Sequence, residues 1–234
     1  MEIDDLARAR RFADDALEHA KLTGDRVARA RALYAGANLD LGRNLPERAR
    51  PELQEALDLF RAAGEDSWTG LVLESLADCA DREGQTDEVR RFDDQGLALF
   101  RKIGDRRGEA IALQSLGYWY DQYPQDYVAG RRYAAEAAQL SRRNGDLVEL
   151  ATNLDALGFI ERTQDRFEPA IQLHHEALAL RRRVHSRRGE AETLFSLGTA
   201  LRHSGRFDEA QQMLRASVQH SEAAINIEAE DVFP

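Results

Sequence analysis

Twelve residues that occur twice constrain this chain more than any other feature. Arg106–Gly117 reads RRGEAIALQSLG and Arg187–Gly198 reads RRGEAETLFSLG, identical at nine of twelve positions and 81 residues apart. A degenerate copy, GDLVELATNLDALG (Gly145–Gly158), lies between them. The separation is two periods of about 40 residues, and a fixed period of that length marks a stacked array in which each repeat buries its surface only against its neighbours.

The period runs beyond the motif. Gly24, Gly64, Gly104, Gly145 and His185 stand 40, 40, 41 and 40 residues apart, followed by Asp25, Glu65, Asp105, Asp146 and Ser186. A glycine ends one helix in a left-handed turn, and an acidic residue or serine favours the start of the next, so each mark predicts a helix-to-helix junction. Thirteen residues on stands a small residue, Ala37, Ala77, Gly117, Gly158 or Gly198, preceded by leucine in every repeat except at Gly36. Mid-helix glycine costs about 1 kcal/mol against alanine, and close approach of a second helix is the compensation expected. Leu113, Leu116, Leu194 and Leu197 are read as core. A second junction follows at Arg43-Asn44, Glu83-Gly84, Tyr123-Pro124, Gln164-Asp165 and Ser204-Gly205, and the extra residue of the third repeat falls in the Tyr123–Tyr127 turn. In the second helix, Ala49, Val89, Gly130, Ala170 and Ala210, then Ala56, Gly96, Ala137, Ala177 and Ser217, form two further small columns. No stretch alternates as a strand would.

The two-helix repeat, the Leu-Gly pair, the aromatic after the turn (Tyr127, Phe167, Phe207) and the small columns of the second helix resemble the tetratricopeptide repeat. The resemblance covers residues 24–222. It implies an all-α fold, a right-handed α-solenoid of antiparallel helix hairpins with about five repeats and about 11 helices. The usual period is about 34 residues, so the 40 to 41 here implies longer helices. Arrays of that length, with this junction, are similar to those of bacterial signalling proteins and transcription regulators. The implied role is a cytoplasmic, non-enzymatic scaffold or sensory module that holds a protein or peptide in a concave groove. The alternative is a self-associating module, a homodimer joined through its end helices.

The expected boundaries are a half repeat over 4–22, repeats over 24–63, 64–103, 104–144, 145–184 and 185–222, and an acidic tail or truncated helix over 223–234. In the half repeat, Ala9, Ala16 and Leu17 fall on Ala49, Ala56 and Leu57. Ile225 falls on the next phase mark. Pro46 suits a first helical turn, whereas Pro51 predicts a late start or a kink.

Composition excludes several functions. A net charge of −10 repels nucleic acid. Cys79 is the only cysteine, so no thiolate metal cluster or intrachain disulfide is expected. No apolar run is long enough to span a membrane. His174-His175 diverge on a helix, the other histidines lack metal-ligand spacing, and phosphate-binding glycine loops are absent, so neither metal nor cofactor is expected. The clusters Arg131-Arg132, Arg142-Arg143 and Arg181–Arg183 and the pairs Asp4-Asp5, Asp14-Asp15 and Asp93-Asp94 read as solvated faces.

By the resemblance, the groove is lined one residue after the first small column and three and six before it. These positions are Arg31, Tyr34 and Asn38; Leu71, Glu74 and Asp78; Ile111, Gln114 and Tyr118; Thr152, Asp155 and Phe159; and Glu192, Phe195 and Thr199. Tyr34, Tyr118, Phe159 and Phe195 either anchor a ligand or pack between repeats. Asn38 is a candidate to hold a peptide amide. Glu74, Asp78, Asp155 and Glu192, opposed only by Arg31, point to a neutral or basic amphipathic partner. Trp119 reads as packing, and Trp68, near a helix start, as partly exposed.

Overall fold

The computed structural model describes the backbone of residues 2–230 and the side chains of residues 7–221. The described residues form eleven α-helices and no strand: α1 (Glu2–Thr23), α2 (Arg26–Gly42), α3 (Pro46–Ala63), α4 (Asp66–Arg82), α5 (Thr86–Ile103), α6 (Arg106–Gln122), α7 (Tyr127–Asn144), α8 (Leu147–Thr163), α9 (Phe167–Arg183), α10 (Arg187–His203) and α11 (Phe207–Glu230). They belong to two compact units, residues 1–112 and 113–234, with α6 supplying residues to both.

Every expected junction is made by backbone chemistry. Gly24, Gly64, Gly104, Gly145 and His185 all take positive φ, and so do Asn44, Gly84, Gln125, Asp165 and Gly205 at the second set of turns. Asp25, Asp105, Asp146 and Ser186 then accept hydrogen bonds from backbone N–H groups of the following first turn. Such a cap contributes about 1 kcal/mol. The turn between α6 and α7 is one residue longer than its counterparts, as the spacing requires.

The small columns are where helices touch. In the second unit, a Cβ on Gly117 would lie 3.1 Å from the Ala134 backbone nitrogen, and one on Gly130 would lie 2.9 Å from the Gly117 carbonyl oxygen. Ala49, Ala56, Ala137, Ala170 and Ala177 are fully buried, as are Leu113, Leu116 and Leu197. Each buried leucine stabilises its repeat by about 1.5–3 kcal/mol. The structure adds a role for the other glycine of the twelve-residue motif. Gly108 leaves room for the Phe100 ring, which also lies against Gly70, while in the other copy Gly189 leaves room for Arg181. The motif glutamates repeat their pairing too: Glu109 pairs with Arg101, and Glu190 with Arg182.

Several expectations are corrected. Arg181 is buried, not solvated, and so is Asp93. α3 starts at Pro46 with Pro51 inside it, so there is no late start. Ala16 is exposed although Ala56, its counterpart, is buried; on α1 it is Ala13 and Ala20 that are buried. α11 continues past Ile225 to Glu230, so no junction forms there. The side chains of Asp4, Asp5 and the 223–234 segment lie outside the described residues. The exception at Gly36 acquires a cause: a Cβ there would lie 3.0 Å from both the Arg10 guanidinium and the Glu52 carboxylate. Arg10 reaches into that space from α1 and donates to Asp40 at 2.8 Å and to Glu52. The Glu52 hydrogen bond, with the charges of Glu52, Asp40 and Asp14, holds the guanidinium well above its usual range.

Candidate functional site

The expected lining residues fall on the first helices of the hairpins, and each unit arranges its share differently. In the second unit the aromatic candidates stand on α6, α8 and α10. Tyr118 meets Phe159 edge-on with ring centroids 5.6 Å apart. The Arg162 guanidinium lies over the other ring of that pair, 4.9 Å from the Phe159 centroid. Phe195, on α10, is 60% exposed, far more than a core ring. The Thr199 hydroxyl is turned back onto the Phe195 carbonyl, 2.9 Å away. Gln114, Tyr118, Thr152 and Phe159 are half-buried, and Glu192 is exposed beside Arg188, with which it pairs. Burial, followed by the charges of Asp155 and Asp121, pushes the Tyr118 phenol up to about 12, so it remains a neutral hydroxyl.

Asp155 is not free to meet a ligand. Its carboxylate lies 2.9 Å from Nδ1 of His174, a residue only 1% exposed, and accepts from the Thr193 hydroxyl at 2.6 Å. Arg181 stands 4.0 Å away and donates to Thr152 at 2.9 Å. This network ties α8 to α9 and α10. Gly158 admits it, since a Cβ there would meet the His174 ring. His175, the neighbour, is exposed, so the two histidines do diverge.

In the first unit the candidates are largely engaged with one another. Trp68 stacks on Phe60 at 5.4 Å, meets Tyr34 edge-on at 5.7 Å, and lies under the Arg31 guanidinium at 5.2 Å. Trp68 is half-buried and is the centre of this cluster, a role its position in the sequence did not reveal. Asn38 donates to the Tyr34 carbonyl and accepts from the Ser75 hydroxyl, so it already bridges α2 and α4. Burial raises the Tyr34 phenol above its ordinary range. Asp78 is paired with Arg82. Glu74, Leu71 and Ile111 are half-buried. The inward carboxylates Asp78, Asp155 and Glu192 therefore have partners within the chain, which lowers the negative charge offered to a ligand.

Trp119 is buried against Tyr120, in keeping with a packing role. Among the described residues no group of histidine, cysteine and carboxylate side chains has the makings of a metal site. Among them, too, no helix is long and apolar enough to cross a membrane.

Residues 149–223 match the tetratricopeptide repeat family model. No curated protein matches the chain in sequence. Among solved structures, BtubC (BKLC) from P. vanneervenii is similar with a TM-score of 0.76 and 21% identity, over 94% of this chain and 92% of that one. A Rap protein complexed with competence and sporulation factor has a TM-score of 0.76 and 14% identity, over 94% of this chain and 61% of that one. A signal transduction ATPase with numerous domains and a tetratricopeptide repeat sensor, from Pyrococcus horikoshii, has a TM-score of 0.70 and 16% identity, over 86% of this chain and 31% of that one. Identities this low establish a shared fold. Hairpins in a 40- to 41-residue register, the family match over residues 149–223 and the structural likeness give this chain the fold of a tetratricopeptide-repeat α-solenoid.

Proposed function

We propose that the chain is a non-enzymatic module that binds a protein or peptide segment on the first-helix face of its second unit. The observations that carry this reading are the Tyr118–Phe159 ring pair and the exposed Phe195 ring. Phe195 is too exposed to serve the core, and aromatic anchors beside polar groups are what an interface hot spot requires. The Arg162 guanidinium over Phe159 supplies a polar group beside the rings. The first-unit set has its rings and amides turned onto one another and contributes chiefly packing.

The partner is an amphipathic, near-neutral segment. Asp155 and Glu192 are compensated within the chain, which removes the main reason to favour a strongly basic ligand. The formal charge of −10 argues against nucleic acid. The Rap protein that carries competence and sporulation factor and the ATPase with a repeat sensor support a sensory or scaffolding part in a bacterial signalling or transcription-regulatory system, acting in the cytoplasm.

Selection of a displayed random-peptide library on the immobilised chain tests the reading. Enriched peptides should share apolar anchors and bind the Tyr118→Ala, Phe159→Ala double variant at least about 30-fold more weakly, the scale of a lost hot spot. Peptides that bind the double variant unchanged would rule this face out.

A further inference from the structure

The start of α10 departs from the register at its capping residue. Of the five junction residues, Asp25, Glu65, Asp105 and Asp146 carry a carboxylate, and Ser186 alone is neutral. The three aspartates accept from the following first turn at 2.9 to 3.0 Å, and Asp105 takes a second bond, from the Arg107 N–H. Ser186 accepts from Gly189 at 3.3 Å, and among the described residues the matching Arg188 N–H meets no side-chain acceptor. The positive end of the α10 dipole therefore lacks the negative charge that the other repeats place there.

A second, independent feature lies at the same point. Arg181 is only 8% exposed, and its Nε–H has no acceptor among the described residues, although Nη2 donates to Thr152 at 2.9 Å. A buried N–H left without an acceptor is costly. That Nε and the Ser186 Oγ both lie 2.8 Å from the place a Cβ on Gly189 would occupy, so the two atoms are neighbours at the first turn of α10. Ser186 itself is half-buried. Arg183 and Arg187, which flank it in the chain, are exposed and have no ion-pair partner among the described residues. Arg182 and Arg188 are held by Glu190 and Glu192.

We propose that Ser186 is a phosphorylation site. A protein kinase transfers the γ-phosphoryl group of a nucleoside triphosphate to it. The Ser186 Oγ–P bond forms, the bond from the γ-phosphorus to the bridging oxygen breaks, the nucleoside diphosphate leaves, and the hydroxyl proton passes to the kinase's base. The phosphoryl oxygens then accept from the Arg181 Nε–H and from the N–H groups of the α10 first turn. These charge-assisted bonds are stronger than the neutral cap they replace. The added charge has the sign that the other four junctions carry, and Arg183 and Arg187 supply the counter-charge. The mark ties α10 more firmly to α9. It stands independently of the partner-binding face.

Phosphoserine encoded at position 186 of the whole chain tests this. The melting temperature should rise by about 2–4 °C over the serine protein, the shift expected from one charge-assisted bond in a chain of this size. Compared within an Arg181→Met background, the same pair should differ by less than half as much. With Arg181 present, the phosphorus NMR resonance should titrate below the value of about 6 for free phosphoserine. That measurement needs no variant, so it decides the matter even if Arg181→Met does not fold. Extract of the source cells, given a γ-labelled nucleoside triphosphate, should label the chain at Ser186, and Ser186→Ala should lose that label. No stabilisation, an equal rise in both backgrounds, a phosphorus titration at the value of free phosphoserine, or an unlabelled Ser186 would each overturn the proposal.

Discussion

Two glycines in second helices, Gly96 and Gly130, should respond in opposite senses to the same substitution. Alanine is the residue most other repeats carry at both columns, so sequence alone reads both changes as stabilising, by about 1 kcal/mol of helix propensity. The structure separates them. A Cβ on Gly96 would meet only Phe100 and Leu73 at 3.8 and 3.9 Å, ordinary van der Waals contact. A Cβ on Gly130 would lie 2.9 Å from the Gly117 carbonyl oxygen and 3.1 Å from the Asp121 backbone nitrogen. Those are backbone atoms of α6 and cannot rotate aside. Overpacking of this kind costs about 1–3 kcal/mol, more than the propensity gained. Gly96→Ala should therefore raise the melting temperature by about 2–4 °C, and Gly130→Ala should lower it by a similar amount or more, given the usual conversion for a chain of this size. Thermal unfolding followed by circular dichroism measures both. Gly130→Ala as stabilising as Gly96→Ala would refute the backbone contact between α6 and α7.

Further outcomes follow from buried polar groups. Asp155→Ala leaves His174 and Thr193 without their acceptor and Arg181 without its nearest carboxylate, and should destabilise the chain by about 2–4 kcal/mol in urea, the range for an orphaned buried polar network. Arg10→Ala leaves buried Asp40 facing Glu52 and should speed amide exchange in α1 before any change in α4. Tyr118 should ionise late in an absorbance titration at alkaline pH, near 12, and Tyr118→Phe should remove that phase. Its phenol is raised in the folded state, so its contribution to stability is complete below the unfolded value of about 10 and is lost as pH rises through 12. Burial also lifts the Cys79 thiol to about 11, so a thiol reagent at neutral pH should label it only after unfolding.

Junctions and columns were legible because they recur. A left-handed turn needs the same residue class every 40 positions, and a helix contact needs the same small side chain, so the register exposes both. The twelve-residue motif also held a signal that spacing alone can find: Arg101 and Glu109 recur 81 residues on as Arg182 and Glu190. What stayed hidden occurs once. Asp155 with His174 and Thr193, Asn38 with Ser75, and Arg10 with Asp40 and Glu52 join residues from different helices at separations that no other repeat copies. Arg181 read as one of three solvated arginines, yet it fills the space that Phe100 fills in the other copy, because Gly189 makes room for it as Gly108 does for the ring. The aromatic face was read in part. Tyr118 meets Phe159 across α6 and α8, whereas Tyr34 turns toward Trp68, a partner that lies 34 positions further along the chain.

The partner-binding face is tested most directly by titration calorimetry of a library-selected peptide into the wild type, Phe195→Ala and Val128→Ala. Both positions are exposed, at 60% and 82%, so neither change should disturb the fold. Phe195 lies on the proposed face, and Val128 lies at the start of α7. Affinity should fall at least about 30-fold for Phe195→Ala and stay at the wild-type value for Val128→Ala. Equal affinities for all three proteins would contradict the assignment of this face.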